Sequence, residues 1–289
     1  MKDPYKVVIG VEIGKDFIRV AEVEHREGSF FLSRIAETDL EGLGIDDVVK
    51  ALSVLVSEEG ILSRVASVAI DTTLTERDTI QVDSELSEEQ IVDFLKAEVD
   101  FHTNFSGEEF RTAYEIMGKP DDGHKEVFYA AIDANFLKTI RESCTRCGLS
   151  LQFVDLDHAC TELAIKRLQK PGKNYIIVTV KEDQIEGSFC SAGERTHYKY
   201  GVYSGEPFYF ITKMAQDLES LADKYAEKFY LAGPKADSFV LDLLRKSVDS
   251  RFELLALGKN INLSPMAAGN RRLTESPQYY SAVIGAALK

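Results

Sequence analysis

The stretch Val8-Ile9-Gly10-Val11-Glu12-Ile13-Gly14-Lys15-Asp16-Phe17-Ile18-Arg19-Val20-Ala21-Glu22-Val23 decides the fold. Lys6 to Ile13 alternates or runs apolar, Gly14-Lys15-Asp16 supplies a tight turn, and Phe17 to Val23 returns as a second strand, which reads as a β-hairpin. A third strand follows at Ser29 to Ile35, across the turn Arg26-Glu27-Gly28. Asp46 is placed to cap a helix burying Val48 or Val49, Leu52, Leu55 and Val56, and Val65 to Ile70 reads as a further buried strand. The same order returns from Asn174. It runs Tyr175 to Val180, a turn at Lys181 to Asp183, Ile185 to Cys190, a turn at Ala192 to Glu194, Thr196 to Tyr200, a helix over about Pro207 to Lys228, and Phe229 to Ala232. Two copies of one supersecondary unit predict two like α/β domains.

Between the copies lies additional α/β material. It begins near Arg77 with a strand at Thr79 to Val82 and a capping box, Ser87-Glu88-Glu89-Gln90, opening a helix to about Phe101 with Ile91, Phe94 or Leu95, and Val99 inward. Strands at Phe110 to Met117 and Val127 to Ile132 flank the turn cluster Gly118 to Gly123. A helix capped by Asp133 and ended by Gly148, a strand at Leu151 to Val154 and a helix capped by Asp157 complete it. The expected division is residues 1–170, carrying an inserted subdomain over about 75–155, then 171–289, with Gln169 to Lys173 as the linker.

The 289 residues suffice for two cores, and 44% hydrophobic with 28% charged residues is the balance of a folded chain. Forty-eight acidic against thirty-four basic residues give a net charge of -14, which repels nucleic-acid backbones and anionic lipid. No nucleic acid and no direct membrane insertion are expected. No apolar h-region follows Met1 to Ile9 and no run is long enough to span a bilayer, so the chain reads as cytoplasmic. Four cysteines, irregularly spaced, fit a reducing compartment.

Four pieces resemble the PilM and FtsA branch of the actin-like ATPase superfamily. Val8 to Gly14 with Ile18 to Val23 is similar to that family's first phosphate hairpin, and Leu86 to Gln90 running into Lys96-Ala97-Glu98-Val99 to the helix opening the inserted subdomain of PilM proteins. Cys147-Gly148-Leu149 to Val154-Asp155 is a third match, and Leu231-Ala232-Gly233-Pro234-Lys235-Ala236 resembles the adenosine-contacting turn. The resemblance implies duplicated actin-like (ribonuclease H-like) α/β domains with a small α/β subdomain inserted in the first half.

The departures bear on chemistry, because such an ATPase brings backbone N–H groups against phosphates through two glycine-bearing hairpins. The first hairpin keeps Gly14, but Glu12 stands where the family has Asp, and Lys15, Asp16 and Phe17 replace small hydroxyl residues; Asp16 would add negative charge beside a phosphate. In the second copy Thr179-Val180-Lys181 replaces Asp-x-Gly, removing a metal-positioning carboxylate and a glycine. The adenosine turn keeps Gly233 but has Pro234 where a second glycine is usual. All three ligand elements depart, and phosphoryl transfer depends on positioning and metal-assisted charge stabilisation. The residues of this vestigial nucleotide cleft are Glu12, Gly14, Lys15, Asp16, Thr179, Lys181, Gly233 and Pro234; no catalytic residue, metal or cofactor is expected.

The resemblance then implies a non-catalytic scaffold of type IV pilus or type II secretion assembly. Its partner would be the cytoplasmic tail of a bitopic, PilN-like inner-membrane protein, held in a groove beside the inserted subdomain. Self-association through that subdomain and peripheral placement at the inner membrane follow from the same likeness. The rival is an active actin-fold ATPase or small-molecule kinase using ATP and magnesium through Glu12, Gly14 and Gly233.

A third reading uses Cys144-Thr145-Arg146-Cys147 for redox or metal chemistry. Against it, Leu137, Ile140, Cys144 and Cys147 share one apolar helical stripe, where free cysteine acts as a small hydrophobe. Glu12 is an acid inside an apolar strand, a position that needs a partner or a ligand. Asp155 and Asp157 flank Leu156 at a strand-to-helix junction and could hold a metal or cap, with Asp157 in the N-cap slot; His158 beside it reads as assisting the cap. A C-terminal helix capped near Ser276 carries Ala282, Gly285, Ala286 and Ala287 and is expected to pack closely; the resemblance implies that it returns to the first domain. Asn260 to Pro265 is similar to a PilN docking peptide, a chance likeness in a loop.

Overall fold

The computed structural model describes residues 6–103, 109–121, 123–169, 172–204, 207–221, 226–257 and 260–289. The first hairpin forms as the alternation demands: β1 (Lys6–Ile13) pairs antiparallel with β2 (Phe17–Arg26), placing Glu12 opposite Arg19. β3 (Ser29–Asp39), α1 (Ile45–Glu58) and β4 (Val65–Ile70) follow, with β4 parallel to β1. The inserted segment contributes β5 (Glu76–Asp83), α2 (Glu88–Thr103), β6 (Phe110–Asp121) and β7 (His124–Asp133). Then come α3 (Ala134–Arg146), β8 (Ser150–Leu156) and α4 (Asp157–Ala164). The second half repeats the plan in β9 (Asn174–Val180), β10 (Gln184–Ser191), β11 (Glu194–Val202), α5 (Phe208–Leu221) and β12 (Lys228–Ala232). It ends with α6 (Ser238–Ser247), β13 (Phe252–Leu254), β14 (Asn262–Leu263), α7 (Pro265–Ala268), α8 (Arg271–Glu275) and α9 (Ser281–Ala287).

Among the described residues these strands make sheets ordered β14-β3-β2-β1-β4-β8, β11-β10-β9-β12-β13 and β5-β7-β6. The duplication extends to turn geometry. Glu27-Gly28 between β2 and β3 and Ala192-Gly193 between β10 and β11 all take positive φ, 51° and 78° against 54° and 84°, as tight antiparallel hairpins require.

Side-chain alternation sorts each sheet into two faces. Ile9, Val11 and Ile13 pack with Leu52 of α1 and Ile140 of α3, while Ile176, Val178 and Val180 pack under α5 and α6. The opposite faces turn toward a shared middle layer, where Ala21, Val23, Tyr175 and Ile177 meet Ala164, Val283 and Ile284. Gly10 permits this, since a Cβ there would lie 2.1 Å from the Val283 carbonyl oxygen. Gly285 does the same for α4 against α9, with the Cys160 carbonyl oxygen 1.9 Å from its would-be Cβ. The C-terminal helix thus packs closely, as its small residues predict, and against the first sheet, as the resemblance implies.

Several local expectations hold. Ser87 and Gln90 form the reciprocal capping box, with the Gln90 N–H donating to Ser87 Oγ at 3.3 Å and the Ser87 N–H to Gln90 Oε1 at 2.9 Å. Asp133 caps α3 through the Phe136 N–H, and Val48 and Leu95, not Val49 and Phe94, take the inward positions. Others need correction. Gly44 is the N-cap of α1, while Asp46 lies in its first turn, where a carboxylate favours the helix dipole. Leu156, not Asp157, is the N-cap of α4, and Ser276 makes no side-chain cap. Linker residues 170–171 and residues 222–225 of the expected long helix lie outside the described residues, as does Asp122 of the Gly118 to Gly123 turn. Asn262 and Leu263 pair with Phe31 and Leu32, so that loop stretch closes an edge of the first sheet.

Candidate functional site

The inward faces of β1 and β9 carry Glu12 and Thr179 to one point between the halves, where the β9–β10 turn drives Lys181 into the gap. The Lys181 ammonium is buried and lies 2.9 Å from Asp71 Oδ1, 2.6 Å from Asp157 Oδ2 and 2.8 Å from Glu186 Oε1. It also donates to the Thr72 hydroxyl, which itself donates to Glu186. Burial alone would lower the lysine pKa; the three carboxylates outweigh it and hold the group charged, well above the usual lysine range. Burial would likewise raise Glu186, but Lys181 and Arg77 pull it below the usual carboxylate range. Asp157 is pushed up to about 7, by burial first and by Asp71 and Glu186, with Lys181 pulling the other way.

Glu12 finds its partner across the hairpin: Arg19 Nη1 donates to Glu12 Oε1 at 3.0 Å, while Glu12 Oε2 has no hydrogen-bond partner among the described residues. Burial, opposed by Arg19, raises the Glu12 pKa. The Arg19 guanidinium is stacked between the rings of Phe17 at 3.9 Å and Tyr279 at 3.8 Å and bonds Glu37 at 3.3 Å. Between this stack and the Lys181 cluster lies a cavity of about 20 Å³, lined by Glu12, Asp71, Asp157, Thr179, Lys181, Gly233 and Pro234 among others. That is room for about one water.

The structure brings five of the eight sequence-selected residues to this cavity: Glu12, Thr179, Lys181, Gly233 and Pro234. Gly14 sits beneath the Phe17 ring, 2.1 Å from its would-be Cβ. Lys15 and Asp16 are exposed at the turn and do not line the cavity, which corrects their assignment; the chain reverses before their side chains can turn inward. Gly233 has φ 98°, and a Cβ would meet the Val180 carbonyl oxygen at 2.4 Å, so its glycine is required by the β9–β12 contact itself.

Asp71, Glu186 and Arg77 escaped the sequence reading. The Arg77 guanidinium, in the inserted segment, donates to Tyr198 Oη at 3.0 Å and Gln184 Oε1 at 2.6 Å and lies 3.8 Å from Glu186. One signal existed for Glu186: Thr179 faces it across β9–β10 as Glu12 faces Arg19 across β1–β2, so the repeat aligns it with Arg19. Asp157 and His158 also differ from expectation. Asp157 belongs to the Lys181 cluster, and buried His158 contacts Thr179 Oγ1 at 3.2 Å and Ser188 Oγ at 3.1 Å. Cys144 is buried in the first core, its thiol pushed to about 12 by burial, and Cys147 packs at that core's edge, as their helical spacing predicts. Among the described residues no group of His, Cys, Asp and Glu is arranged to hold a metal ion.

A second, open space of about 250 Å³ runs between β6 and β8, each the outermost strand of its sheet. Ile70, Ala113, Phe128, Val154 and Ala159 line it, with Arg111, Glu115, Asp155 and Arg195 as charged groups. Arg195 is buried and bonds Glu162 at 2.7 Å and Glu115 at 3.3 Å.

Two repeated sheets around a shared helical layer, with a cleft at the paired hairpins and an inserted α/β unit, define the actin-like ATPase fold. The chain has that fold in its PilM-like form. It is similar to the PilM-PilN type IV pilus biogenesis complex at TM-score 0.76 and 15% identity, over 99% of this chain and 98% of that one. It is also similar to the cytoplasmic domain of EpsL, an inner-membrane component of the Vibrio cholerae type II secretion system, at TM-score 0.51 and 12% identity over 88% and 100% of the two chains. A Bacteroides thetaiotaomicron protein with an actin-like ATPase fold and unknown function matches at TM-score 0.53 and 12% identity, over 89% and 92%. No family model and no curated sequence matches the chain. Among the described residues no helix is long and apolar enough to cross a membrane.

Proposed function

We propose that this chain is a non-catalytic actin-like scaffold of a pilus or secretion machine, working in the cytoplasm at the inner membrane through a partner. The observation that carries the proposal is the Lys181 ammonium, anchored by three carboxylates at the centre of the cleft, with about 20 Å³ of space beside it. A nucleotide triphosphate with its magnesium would have to displace a buried, fully paired cation and part the Phe17–Arg19–Tyr279 stack. Both costs are absent from an ATPase built on glycine hairpins.

The partner we assign is the cytoplasmic tail of a bitopic, PilN-like inner-membrane protein, received by the groove between β6 and β8. Two sheet edges and an alanine-rich floor suit an extended segment that adds main-chain hydrogen bonds and buries alternate apolar side chains. Membrane attachment is then indirect, in keeping with the net charge of -14.

Titration calorimetry with MgATP tests the first half of the proposal. We expect no binding by the parent or by Glu12→Ala; saturable binding by the parent that Glu12→Ala loses would make the chain an actin-type nucleotide enzyme instead. For the second half, the labelled cytoplasmic tail of a single-span PilN-like protein should bind the parent. Ala113→Trp, which fills the groove, should weaken that binding at least about tenfold, since a lost apolar anchor is worth one to two kcal/mol.

A further inference from the structure

We propose that the cleft between β5 of the inserted segment and β11 with α5 of the second half is a further docking surface, and that its occupant is an extended, arginine-bearing segment of a partner protein. The cleft is open and holds about 630 Å³, against about 250 Å³ for the groove between β6 and β8. It shares no lining residue with that groove or with the cavity beside Lys181, so the inference stands apart from both.

Strand alternation puts Tyr198, Tyr200 and Val202 on one face of β11. Tyr198 is buried against Phe128 of β7 with ring centroids 4.6 Å apart, Tyr200 stacks beside it at 6.4 Å, and Val202 beyond them is 63% exposed. The row thus begins beneath the inserted segment and runs out uncovered. Helix α5 continues it: Phe210 lies 6.3 Å from Tyr203, and Tyr209, 72% exposed, lies 5.7 Å from Phe210. Phe239 at the start of α6 joins through Phe208 at 5.0 Å and is 60% exposed. Contiguous apolar groups left this open mark an interaction surface. Both β5 and β11 are outermost strands of their sheets, and an outermost strand offers main-chain groups to an added extended segment.

Charge selects the occupant. Asp78, Glu126 and Asp217 line the cleft. Asp217 holds both cleft lysines, Lys213 at 2.7 Å and Lys199 at 3.5 Å, and Glu126 faces the His197 imidazole at 3.7 Å. Asp78 accepts from the Thr79 N–H at 2.7 Å and makes no ion pair among the described residues. Thr79 Oγ1, also at the cleft, is buried without a hydrogen-bond partner among the described residues. Burial pushes the Tyr200 phenol up, and Asp78 and Glu76 add to it against Arg77, whose guanidinium lies 4.5 Å from the ring centroid. At the far end Glu182 and Asp183 border Tyr203, Asp242 lies one turn from Phe239, and Lys235 is taken up by Glu182. A guanidinium is what this surface lacks: it pairs with Asp78, donates to Thr79 Oγ1 and stacks on aromatic faces, which an ammonium does less well. An acidic segment is repelled, as is the same face of a second copy carrying a net charge of -14.

The test selects a displayed library of random peptides on the full chain, with counter-selection on Asp78→Asn/Tyr209→Ser. We expect enriched sequences that set arginine beside apolar residues. A fluorescent copy of the commonest one, titrated by polarisation, should bind the parent saturably and weaken at least about tenfold in Asp78→Asn, in Tyr209→Ser and in Val202→Ser. All three positions are exposed, so the variants should melt with the parent. Ala113→Trp, which fills the other groove, should bind the peptide as the parent does, and glutamate in place of the peptide's arginines should abolish binding. The inference is overturned by a selection that enriches nothing, or enriches acidic or purely apolar sequences. Binding that Ala113→Trp loses and the three cleft variants keep also overturns it, as does a parent dimer that Tyr209→Ser dissociates, since the surface would then belong to a second copy.

Discussion

Glu22 illustrates how this chain holds a buried carboxylate with neutral donors. Its Oε1 accepts from the N–H groups of Leu62 and Ser63, each at 2.7 Å, and its Oε2 from Ser33 Oγ at 2.8 Å. Glu22→Gln should cost under about 1 kcal/mol, because Ser33 Oγ can reverse and accept from the amide; Glu22→Met leaves two N–H groups unpaired and should cost about 3 kcal/mol in urea unfolding. Equal losses in the two variants would mean that the charge itself matters. Asp157 makes a pH prediction. Its pKa is about 7 when folded against an ordinary 3.8, so the folded state holds the proton more tightly and this group's contribution to stability falls as pH rises from 3.8 to 7. Asp157→Asn should remove that fall, and its stability relative to the parent should improve with pH over the interval at up to about 1.4 kcal/mol per unit. A constant difference would place the proton elsewhere in the cluster. Glu12 was legible because an acid interrupts an apolar strand, and Lys181 because it stands where a resembling hairpin has glycine. Asp71 and Glu186 were not, since strand periodicity tells which residues share a face but not which face meets the other half.

At the scale of elements, legibility followed the length of the pattern. The hairpins, α1, α2 and α3 carry apolar stripes or reciprocal caps over several turns, and the reading found them. In α2, Ser87→Ala removes one partner of the capping box and should cost about 1 kcal/mol, seen as faster amide exchange in the first turn. The elements missed, β13, β14, α6, α7 and α8, include four of two to five residues that no local periodicity can specify. The caps of α7 and α8 were visible in hindsight: Ser264 accepts from the Ala267 N–H at 3.1 Å and Asn270 from the Leu273 N–H at 2.9 Å. Tertiary packing selects α7 and α8, whereas α6 carried a readable signal in the Asp237 cap on the Val240 N–H and in Val240, Leu241 and Leu244 on one face. The crossing of α4 and α9 belongs to this scale too. Gly285→Ala puts a methyl against the Cys160 carbonyl, which cannot yield without parting the helices, and we expect a loss of about 3 kcal/mol. A neutral outcome would show that the crossing can slide.

For the molecule as a whole, the halves and the inserted unit are joined by buried charge. Arg77 reaches from the insertion to Gln184, Glu186 and Tyr198 in the second half, and Lys181 reaches back to Asp71 and Asp157 in the first. Arg77→Met should therefore cost about 3–5 kcal/mol, the loss typical of breaking a buried pair on one side. It should also make the inserted segment more sensitive to limited proteolysis while leaving the second core intact; uniform destabilisation would argue against a role specific to the joint. The duplicated plan was legible because two runs of the same element order can be laid over one another. The charged joint was not, because its members come from four separate stretches of chain.

The placement of α9 has a consequence for biosynthesis. The helix covering Gly10 on β1 is made from residues 281–287, so β1 emerges from the ribosome long before the element that seals its inner face. Domains made early in translation ordinarily fold as they appear. Here the first half must wait, with Ala21 and Val23 uncovered, until Val283 and Ile284 arrive.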